Sequence, residues 1–404
     1  MLLILAWRNI WRNKKRSLII IAAIAAGLLS GLFASAVMFG MGESLVNSTI
    51  DRNLAHIQVH SKEFEEEKLL SDTIPNFSTA LQIVKKQNFI SGISPRVIVE
   101  GMGSSATTST GLRILGINPS DEKSVTTIHK RIVEGNYFAE KKKNQILIGK
   151  KLADDLGIKE KSKIVLSFQD FDGSIIYGAF RVTGIFETES SVFDKTNVFL
   201  EDNNLFSLLN TQPVYHEIAI RLNSAQNVDS VYTTLKSELT TVSVKNWKQL
   251  APELKLMDEM IGLQLNIFLG VILFALLFGI TNTMLMSVME RVREFGVLMA
   301  VGMKRSRVFA MIIFETIMLS LVGGIIGMIL AAISITWVGD VGIDLSAFTK
   351  GFTAWSLSPM LHPVLPISFY VSITVMIFIT AIFSAVYPAI KAIKLKPAQA
   401  IRTY

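Results

Sequence analysis

Long runs without a charged side chain are the most regular feature of this sequence. Four such runs are each at least 24 residues long, and Pro359, Pro363 and Pro366 interrupt the last of them. A helix needs about 20 apolar residues to cross a bilayer, so each run is long enough for one membrane-spanning helix. The predicted layout is one span, a large polar domain and then three spans. The predicted spans are 17–42, 259–289, 308–337 and 367–390.

The polar segment between the first two spans, 43–258, is patterned like a folded α+β domain. Apolar residues recur at helical spacing within 77–87, 150–156 and 224–239. Short alternating or apolar runs bounded by Gly, Asn or Asp are typical of strands. The glycine-rich segment 101–105 is interpreted as a loop. The predicted strands are 56–60, 96–100, 112–117, 145–148, 163–168, 178–186, 197–200 and 217–222.

Lysine and arginine are distributed asymmetrically around the spans. Five lie in 1–16, five in 290–307 and four in the tail 391–404, whereas the loop 338–366 has one. Because basic residues flank spans on the cytoplasmic side, we predict that both termini are cytoplasmic. The predicted fold is an α-helical membrane protein with four transmembrane helices, one plus three, and a large α+β extracytoplasmic domain inserted between the first and second.

Composition excludes several other classes of protein. Half of the residues are apolar and 18% are charged, which is too apolar for a typical soluble domain and for a disordered chain. The absence of cysteine excludes a disulfide scaffold, a zinc–cysteine site and a thiol nucleophile. The net charge of +7 is explained mostly by the cytoplasmic flanks. No basic stripe is interleaved with aromatic residues, so we predict no nucleic-acid partner.

The leader, 1–16, has apolar residues with Trp7 and Trp11 on one side and polar residues on the other. This pattern predicts a helix lying in the cytoplasmic interface of the membrane, with both tryptophans at headgroup depth. A cleavable signal peptide ending at Ala34-Ser35-Ala36 is the alternative. The apolar run continues through Met41, which favours an uncleaved span.

The sequence contains no catalytic or cofactor motif that we recognise. It lacks the P-loop pattern, which predicts no ATP site in this chain, and it lacks the G-x-S-x-G elbow. His56 and His60 lie on the same side of a predicted strand, but four strand residues separate them by about 13 Å, too far to share a metal. We therefore predict no catalytic, cofactor-binding or metal-binding residues and no enzymatic activity.

The loop 290–307 predicts a short amphipathic helix between the second and third spans. Glu290 and Glu294 are four residues apart with arginines between and beside them, an apolar face follows, and a glycine ends the helix. Such a helix is a docking element for a soluble partner; a passive connector with basic flanks is the alternative. The candidate docking residues are Glu290, Arg291, Arg293, Glu294, Phe295, Gly296, Leu298, Met299 and Gly302.

Small residues recur at helical spacing inside two spans. Gly27 and Gly31 are four apart in the first span, and Gly323, Gly324 and Gly327 lie in the third. Residues this small let two helices approach closely, so we predict helix–helix packing at both places.

The segment Glu290–Val308 resembles the coupling-helix region of the FtsX-like permease family, whose members are membrane subunits of ABC transporters. The one-plus-three layout and the tail Pro388–Arg402 are also similar, and 115–119, 134–138 and 148–157 resemble the family's MacB-like periplasmic core domain. The resemblance implies a bacterial inner-membrane protein whose 290–307 helix sits in a groove of a separate ATPase. It further implies an ABC ATPase dimer that holds ATP and Mg, with a second copy or a related permease alongside.

Length and layout most resemble the lipoprotein-releasing permeases, which extract lipoproteins from the inner membrane and pass them to a periplasmic carrier. A MacB-type peptide or drug exporter and a non-transporting mechanotransmitter remain alternatives. Residues along the second span would line a cavity for the lipid-bearing substrate; contact with lipid or another helix is the other interpretation. The candidate cavity residues are Met257, Met260, Leu263, Phe268 and Ile272.

The stretch 167–178 occupies the place of the hook by which the carrier-recruiting subunit of that system contacts its carrier. Here it is short and contains no proline. Phe171, Asp172 and Gly173 at its tip are candidate partner-contact residues, and a plain hairpin turn at Asp172-Gly173 is the alternative.

Overall fold

The computed structural model describes residues 7–8, 10–12, 14–64, 69–138, 144–345 and 360–394. It divides into two compact units, which are described separately. We call Glu43–Met257 the outer domain, and Met1–Gly42, Asp258–Asp344 and Met360–Tyr404 together the membrane unit. Part of the predicted leader, residues 346–359 of the loop 338–366 and the end of the tail 391–404 lie outside the described residues.

Four helices are long and apolar enough to cross a membrane, which confirms the predicted one-plus-three layout. All four extend beyond the predicted limits, the first and second furthest, because polar helical turns continue their apolar runs. We call the helices the first to fourth spans. They are Lys14–Thr49, Pro252–Glu290, Arg305–Val341 and Ile367–Ile393.

Glycines set the spacing of the spans within the membrane unit. A Cβ atom on Gly31 would lie 2.6 Å from the Cδ1 of Ile272 in the second span. A Cβ atom on Gly327 would lie 2.9 Å from the backbone of Ala25 in the first span. The predicted close packing at both glycine motifs is therefore confirmed. Apolar side chains from all four spans form one buried cluster around these contacts.

The outer domain is built on one ten-stranded sheet. Six of its strands close into a ring in the order β2-β3-β8-β5-β7-β6, because β6 pairs with both β7 and β2. The strands β9, β1 and β10 extend the sheet from β2, and β4 pairs with β7. In chain order, β1 to β10 are Ile57–His60, Ile90–Ser104, Ser109–Ile117, Ile132–Gly135, Gln145–Gly149, Lys163–Gln169, Ile175–Phe186, Asn197–Glu201, Glu217–Leu222 and Ser243–Asn246.

The two largest apolar clusters in the described part of the outer domain are its main cores. The first fills the six-stranded ring and includes Ile114, Leu166 and Val182, none of which is exposed. The second lies at the β10-β1-β9 extension and includes Leu235, on one of the outer helices, and Trp247. The helices α1 to α7 are Phe77–Lys85, Pro119–Val125, Lys150–Leu156, Ser191–Thr196, Asp202–Leu208, Val228–Glu238 and Trp247–Leu250.

All eight strands predicted from sequence are present, whereas the short strands β4 and β10 were not predicted. The loop predicted at 101–105 is wrong, because β2 continues through Ser104. Its glycines serve packing: a Cβ on Gly101 would lie 2.5 Å from the Ser167 carbonyl oxygen, and one on Gly103 would lie 2.3 Å from Leu112. The predicted fold class, with an α+β domain between the first and second spans, is confirmed.

Candidate coupling site

A nine-residue helix, Val292–Ala300, lies between the second and third spans; we call it the coupling helix. Arg291 separates it from the second span. At its other end Gly302 has φ +99°, and the Gly302 and Met303 N–H groups donate to the carbonyls of Met299 and Leu298. This is a Schellman termination, which favours glycine because of the positive φ. Gly302 therefore ends the helix as its sequence position predicts.

The coupling helix has an inward face that packs within the membrane unit. Phe295 is 1% exposed and Gly296 is buried beside it. Leu298 and Met299 are half-buried and pack against the same apolar cluster, which includes Val308 from the third span. The apolar residues predicted to contact a partner are thus mostly turned toward the protein's own spans.

The opposite face of the coupling helix is open. Arg293 and Val297 are exposed and four residues apart, and Val301 continues the line one turn later at 83% exposure. Glu290, at the end of the second span, is also exposed. We call Arg293, Val297 and Val301 the outward strip. Together with Glu294 and Ala300, which are also exposed, it forms the surface at this helix that a soluble partner can reach.

Charged side chains tie the coupling helix to its neighbours. The Nη1 atom of Arg291 donates to both carboxylate oxygens of Glu315 in the third span, at 3.0 Å each, and its Nε donates to Glu294 at 3.0 Å. Arg12 in the leader also pairs with Glu294. Hydrogen bonds from Arg12 and then Arg291 lower the pKa of Glu294, so this carboxylate stays ionised at neutral pH.

A groove of about 550 Å³ lies beside the coupling helix. Residues of the leader, the coupling helix and the third span line this groove, with charged side chains at its rim and apolar side chains at its floor. The lining residues are Arg12, Arg291, Arg293, Glu294, Val297, Leu298, Met303 and Met311.

Most of the candidate cavity residues lie exposed on the second span. Met257, Met260, Leu263 and Phe268 are 41%, 57%, 61% and 39% exposed. Ile272 lines an apolar groove of about 370 Å³ between the first and second spans, which continues to Gly279 and Thr283. This groove runs from Ile272 toward the coupling-helix end of the second span, whereas the other four residues lie toward its opposite end. Their role in a substrate cavity stays a prediction.

The segment around the candidate partner hairpin joins β6 to β7. Phe171 at its tip is 44% exposed, and Gly173 adopts φ +85°. Asp172 accepts a hydrogen bond from the Ser174 N–H, which lowers the pKa of the Asp172 carboxyl. Sequence reasoning missed the neighbouring surface, where outward residues of β2, β6 and β7 leave Met102, Val165, Ile175 and Tyr177 exposed.

Both histidines considered for metal binding have protein partners. The Nδ1 atom of His56 accepts a hydrogen bond from the Leu222 N–H at 3.0 Å, and His60 Nε2 lies 2.9 Å from Gln58 Oε1. Within the described ranges, no group of three or more His, Cys, Asp or Glu side chains is arranged to hold a metal ion.

Glu315 and Arg12 belong to this site but were not among the coupling residues predicted from the sequence. Glu315 is 7% exposed at its side chain and is the acid that directly precedes the uncharged run of the third span. An acidic residue inside a membrane-spanning helix is a signal for a functional ion pair. Its partner could not be read from the sequence, because Arg291 lies 24 positions away.

These features define an integral membrane protein with an inserted extracytoplasmic α+β domain and a short helix at the opposite ends of its spans. Residues 17–238 match the MacB-like periplasmic core domain, and residues 266–397 match the FtsX-like permease C-terminal domain. The chain therefore belongs to the FtsX-like and MacB-like family of ABC transporter permeases.

Relatives are found in archaea and bacteria. An uncharacterized ABC transporter permease of Methanocaldococcus jannaschii is 26% identical over 67% of this chain and 65% of its own length. The uncharacterized ABC transporter permease YvrN of Bacillus subtilis is 22% identical over 98% of both chains. The macrolide export ATP-binding/permease protein MacB of Escherichia coli is 23% identical over 76% of this chain, which spans 49% of that protein.

Proposed function

We propose that this chain is the permease subunit of an ABC transporter in a bacterial inner membrane, with both termini cytoplasmic and the outer domain periplasmic. A separate ABC ATPase dimer, carrying ATP and Mg, docks on the outward strip of the coupling helix. The observation that supports this proposal is that the coupling helix has two different faces. Phe295 is buried among the spans on one face, whereas Arg293, Val297 and Val301 are exposed on the other. ATP-driven closure of the ATPase would then displace this helix.

A second permease subunit, identical or related, would complete the assembly beside the second span. Only 17% of the most apolar stretch of that span is buried within the chain, against 44%, 39% and 33% for the first, third and fourth. The second span is therefore the one with most apolar surface left for a partner helix or for lipid. The groove near Ile272 and Gly279 adds a concave surface between the first and second spans.

The proposed substrate is a lipoprotein, extracted from the inner membrane for delivery to a periplasmic carrier. Its acyl chains would enter laterally against the exposed apolar residues of the second span, which include Leu263 and Phe268. Closure of the paired permeases would expel them. Phe171, at the exposed tip of the β6–β7 hairpin, is available for contact with the carrier.

Export of a peptide or drug is the second candidate. The relative MacB of Escherichia coli is named for macrolide export, and this chain matches about half of it. In that case the same coupling helix would serve a transporter whose substrate is a small amphipathic molecule, without acyl chains held between the spans.

The docking step is tested at Val297. We expect Val297→Glu to reduce co-purification of the ATPase from the native host by about tenfold, because a charge replaces an apolar side chain at the centre of the contact. Val192→Glu is the matched control, since Val192 is 70% exposed in the outer domain. Equal ATPase recovery with both variants would favour the passive-connector interpretation of the 290–307 segment.

The substrate class is tested by photo-crosslinking in native membranes. A photoreactive residue at Phe268 should trap lipoproteins, whereas one at Ile333, which is 61% exposed on the third span, should trap only phospholipid. If Phe268 traps no lipoprotein and the cells lose efflux of peptides or macrolides on deletion, the exporter is preferred. ATP-dependent control of a periplasmic partner without any trapped substrate would instead indicate a mechanotransmitter.

A further inference from the structure

The coupling helix has only short covalent links to the third span. The turn after Ala300 contains Gly302 at φ +99°, and the third span begins at Arg305. A turn of this kind can bend, so the backbone alone does not force the third span to follow the coupling helix. Side-chain contacts between the two must carry any displacement from one to the other.

Arg291 supplies the strongest such contact. It lies at the break between the second span and the coupling helix, and its Nη1 atom reaches both oxygens of Glu315 at 3.0 Å. Its guanidinium carbon also lies 5.2 Å from the ring centroid of Phe295. One side chain therefore joins the end of the second span, the buried core of the coupling helix and the third span.

The burial of Glu315 makes its pairing with a cation energetically important. It lies ten residues after Arg305 in the third-span helix, about 15 Å along its axis. An ionised carboxylate that is 7% exposed in a span is costly unless a cation satisfies it. A polar cavity of about 260 Å³, lined by Ser17, Ser287 and Glu290 among others, borders the pair.

The leader adds a weaker, solvent-exposed ion pair to the coupling helix. Arg12 pairs with Glu294, and their side chains are 56% and 45% exposed. A pair this open contributes little at physiological salt. The charges alternate along the series Arg12, Glu294, Arg291, Glu315, so each inner member is held from both sides.

We infer that Arg291 and Glu315 are positioning residues that fasten the coupling helix to the third span, with Arg12 and Glu294 extending the hold to the leader. The transmission of ATPase movement through this contact rests on the proposed function. The Arg291–Glu315 contact itself does not rest on the proposed function, so the contact and the transmission are tested separately.

The contact is tested in the full chain, without any ATPase. The sequence has no cysteine, so one can be placed at Leu298 on the inward face or at Val297 on the outward strip. Glu315→Gln should raise the alkylation rate at L298C about tenfold or more, because the helix opens from the spans. The rate at V297C should change by less than about twofold, since this position is already open.

Conservative variants separate positioning from general destabilisation. Arg291→Lys keeps a cation for Glu315 and should leave the alkylation of L298C slow, whereas Arg291→Gln should make this alkylation fast. Ser320→Ala, at another buried polar residue of the third span, should have no effect. Unchanged L298C labelling in Glu315→Gln, or equal labelling in Arg291→Lys and Arg291→Gln, would overturn the inference even if one variant folds poorly.

A second arm measures transmission with the bound ATPase. Glu315→Gln should leave ATPase binding within about twofold, because Glu315 is buried away from the outward strip, while permease-dependent stimulation of ATP hydrolysis falls about tenfold. Binding and stimulation lost in parallel would overturn the transmission role. A parent chain that binds no ATPase would refute the proposed function and leave the labelling result standing.

Discussion

Replacing Arg96 by methionine should strongly destabilise the outer domain. Arg96 is fully buried on β2 and donates to Glu122 on α2 at 2.7 and 3.0 Å, to Glu217 on β9 at 2.5 Å, and to the Asn53 carbonyl oxygen at 2.7 Å. Both carboxylates are 1% exposed. In Arg96→Met they would remain buried without their shared cation.

The expected loss follows from these contacts. Removing one partner of a buried ion pair typically costs about 3–5 kcal/mol, a large part of a domain's stability of about 5–15 kcal/mol. Ser94 and Thr126 still donate to Glu122, which limits the loss there. Glu217 keeps only His60, at 3.8 Å, among its recorded ion-pair partners in the described residues. For a domain of this size the midpoint of thermal unfolding should fall by about 6–20 °C.

Hydrogen exchange of the full chain in detergent locates the effect. The slowest amides of β2 and β9 should exchange about 100-fold faster or more in Arg96→Met, since exchange follows the free energy of opening. Arg181→Met, at an exposed position on β7, is the matched control and should change little. Exchange within twofold of the parent would show that the two carboxylates do not need Arg96, and the reasoning from burial would be wrong.

Four further changes test other parts of the structure. Gly327→Leu should reduce the yield and thermal stability of folded protein, because the first span leaves no room for a Cβ, whereas Gly270→Leu, with nothing within 4 Å, should not. Burial raises the pKa of Asp194 from 3.8 to about 6, so the folded protein binds a proton at this carboxyl more readily than the unfolded chain does, and the free energy of unfolding falls as pH rises through this range. In denaturant unfolding, the free energy of unfolding of Asp194→Asn should therefore rise by about 2 kcal/mol relative to that of the parent between pH 4 and pH 7. A cysteine replacing Asp172 should react with a membrane-impermeant thiol reagent in cells with an intact inner membrane, and labelling only after lysis would contradict the proposed topology. Glu294→Lys should weaken ATPase co-purification, because it places a cation beside the arginines that hold this position, and full ATPase binding by the variant would count against docking at the coupling helix.

The parts of the fold that sequence predicted are those encoded by local patterns. Uncharged runs gave the four spans, and alternation gave eight strands of the outer domain. Closure of the ring was not predictable, because it depends on the return of β6 to β2, a pairing such as Val165 with Ser104 across a long stretch of chain. The loop error at Gly101 has the same cause: glycine marked a close approach of neighbouring backbone, not a turn.

The candidate site divides in the same way. The amphipathic pattern of 290–307 correctly indicated a short helix that ends at Gly302. The pattern did not show which face would be buried, because a four-span bundle offers apolar surface of its own to Phe295. It also could not show that Glu294 is held by Arg12, since this pair joins residues 282 positions apart.

The first strand of the outer domain, β1, and its last strand, β10, are paired with each other. Ile57 lies opposite Asn246 and His60 lies opposite Ser243, so the start of β1 and the end of β10 are about 5 Å apart across the ladder. A domain whose ends adjoin can be removed or exchanged without separating the segments that flank it. Genetic recombination could therefore substitute a different outer domain between the same two spans, so a permease of this design could change its extracytoplasmic domain in one step while its spans stay unchanged.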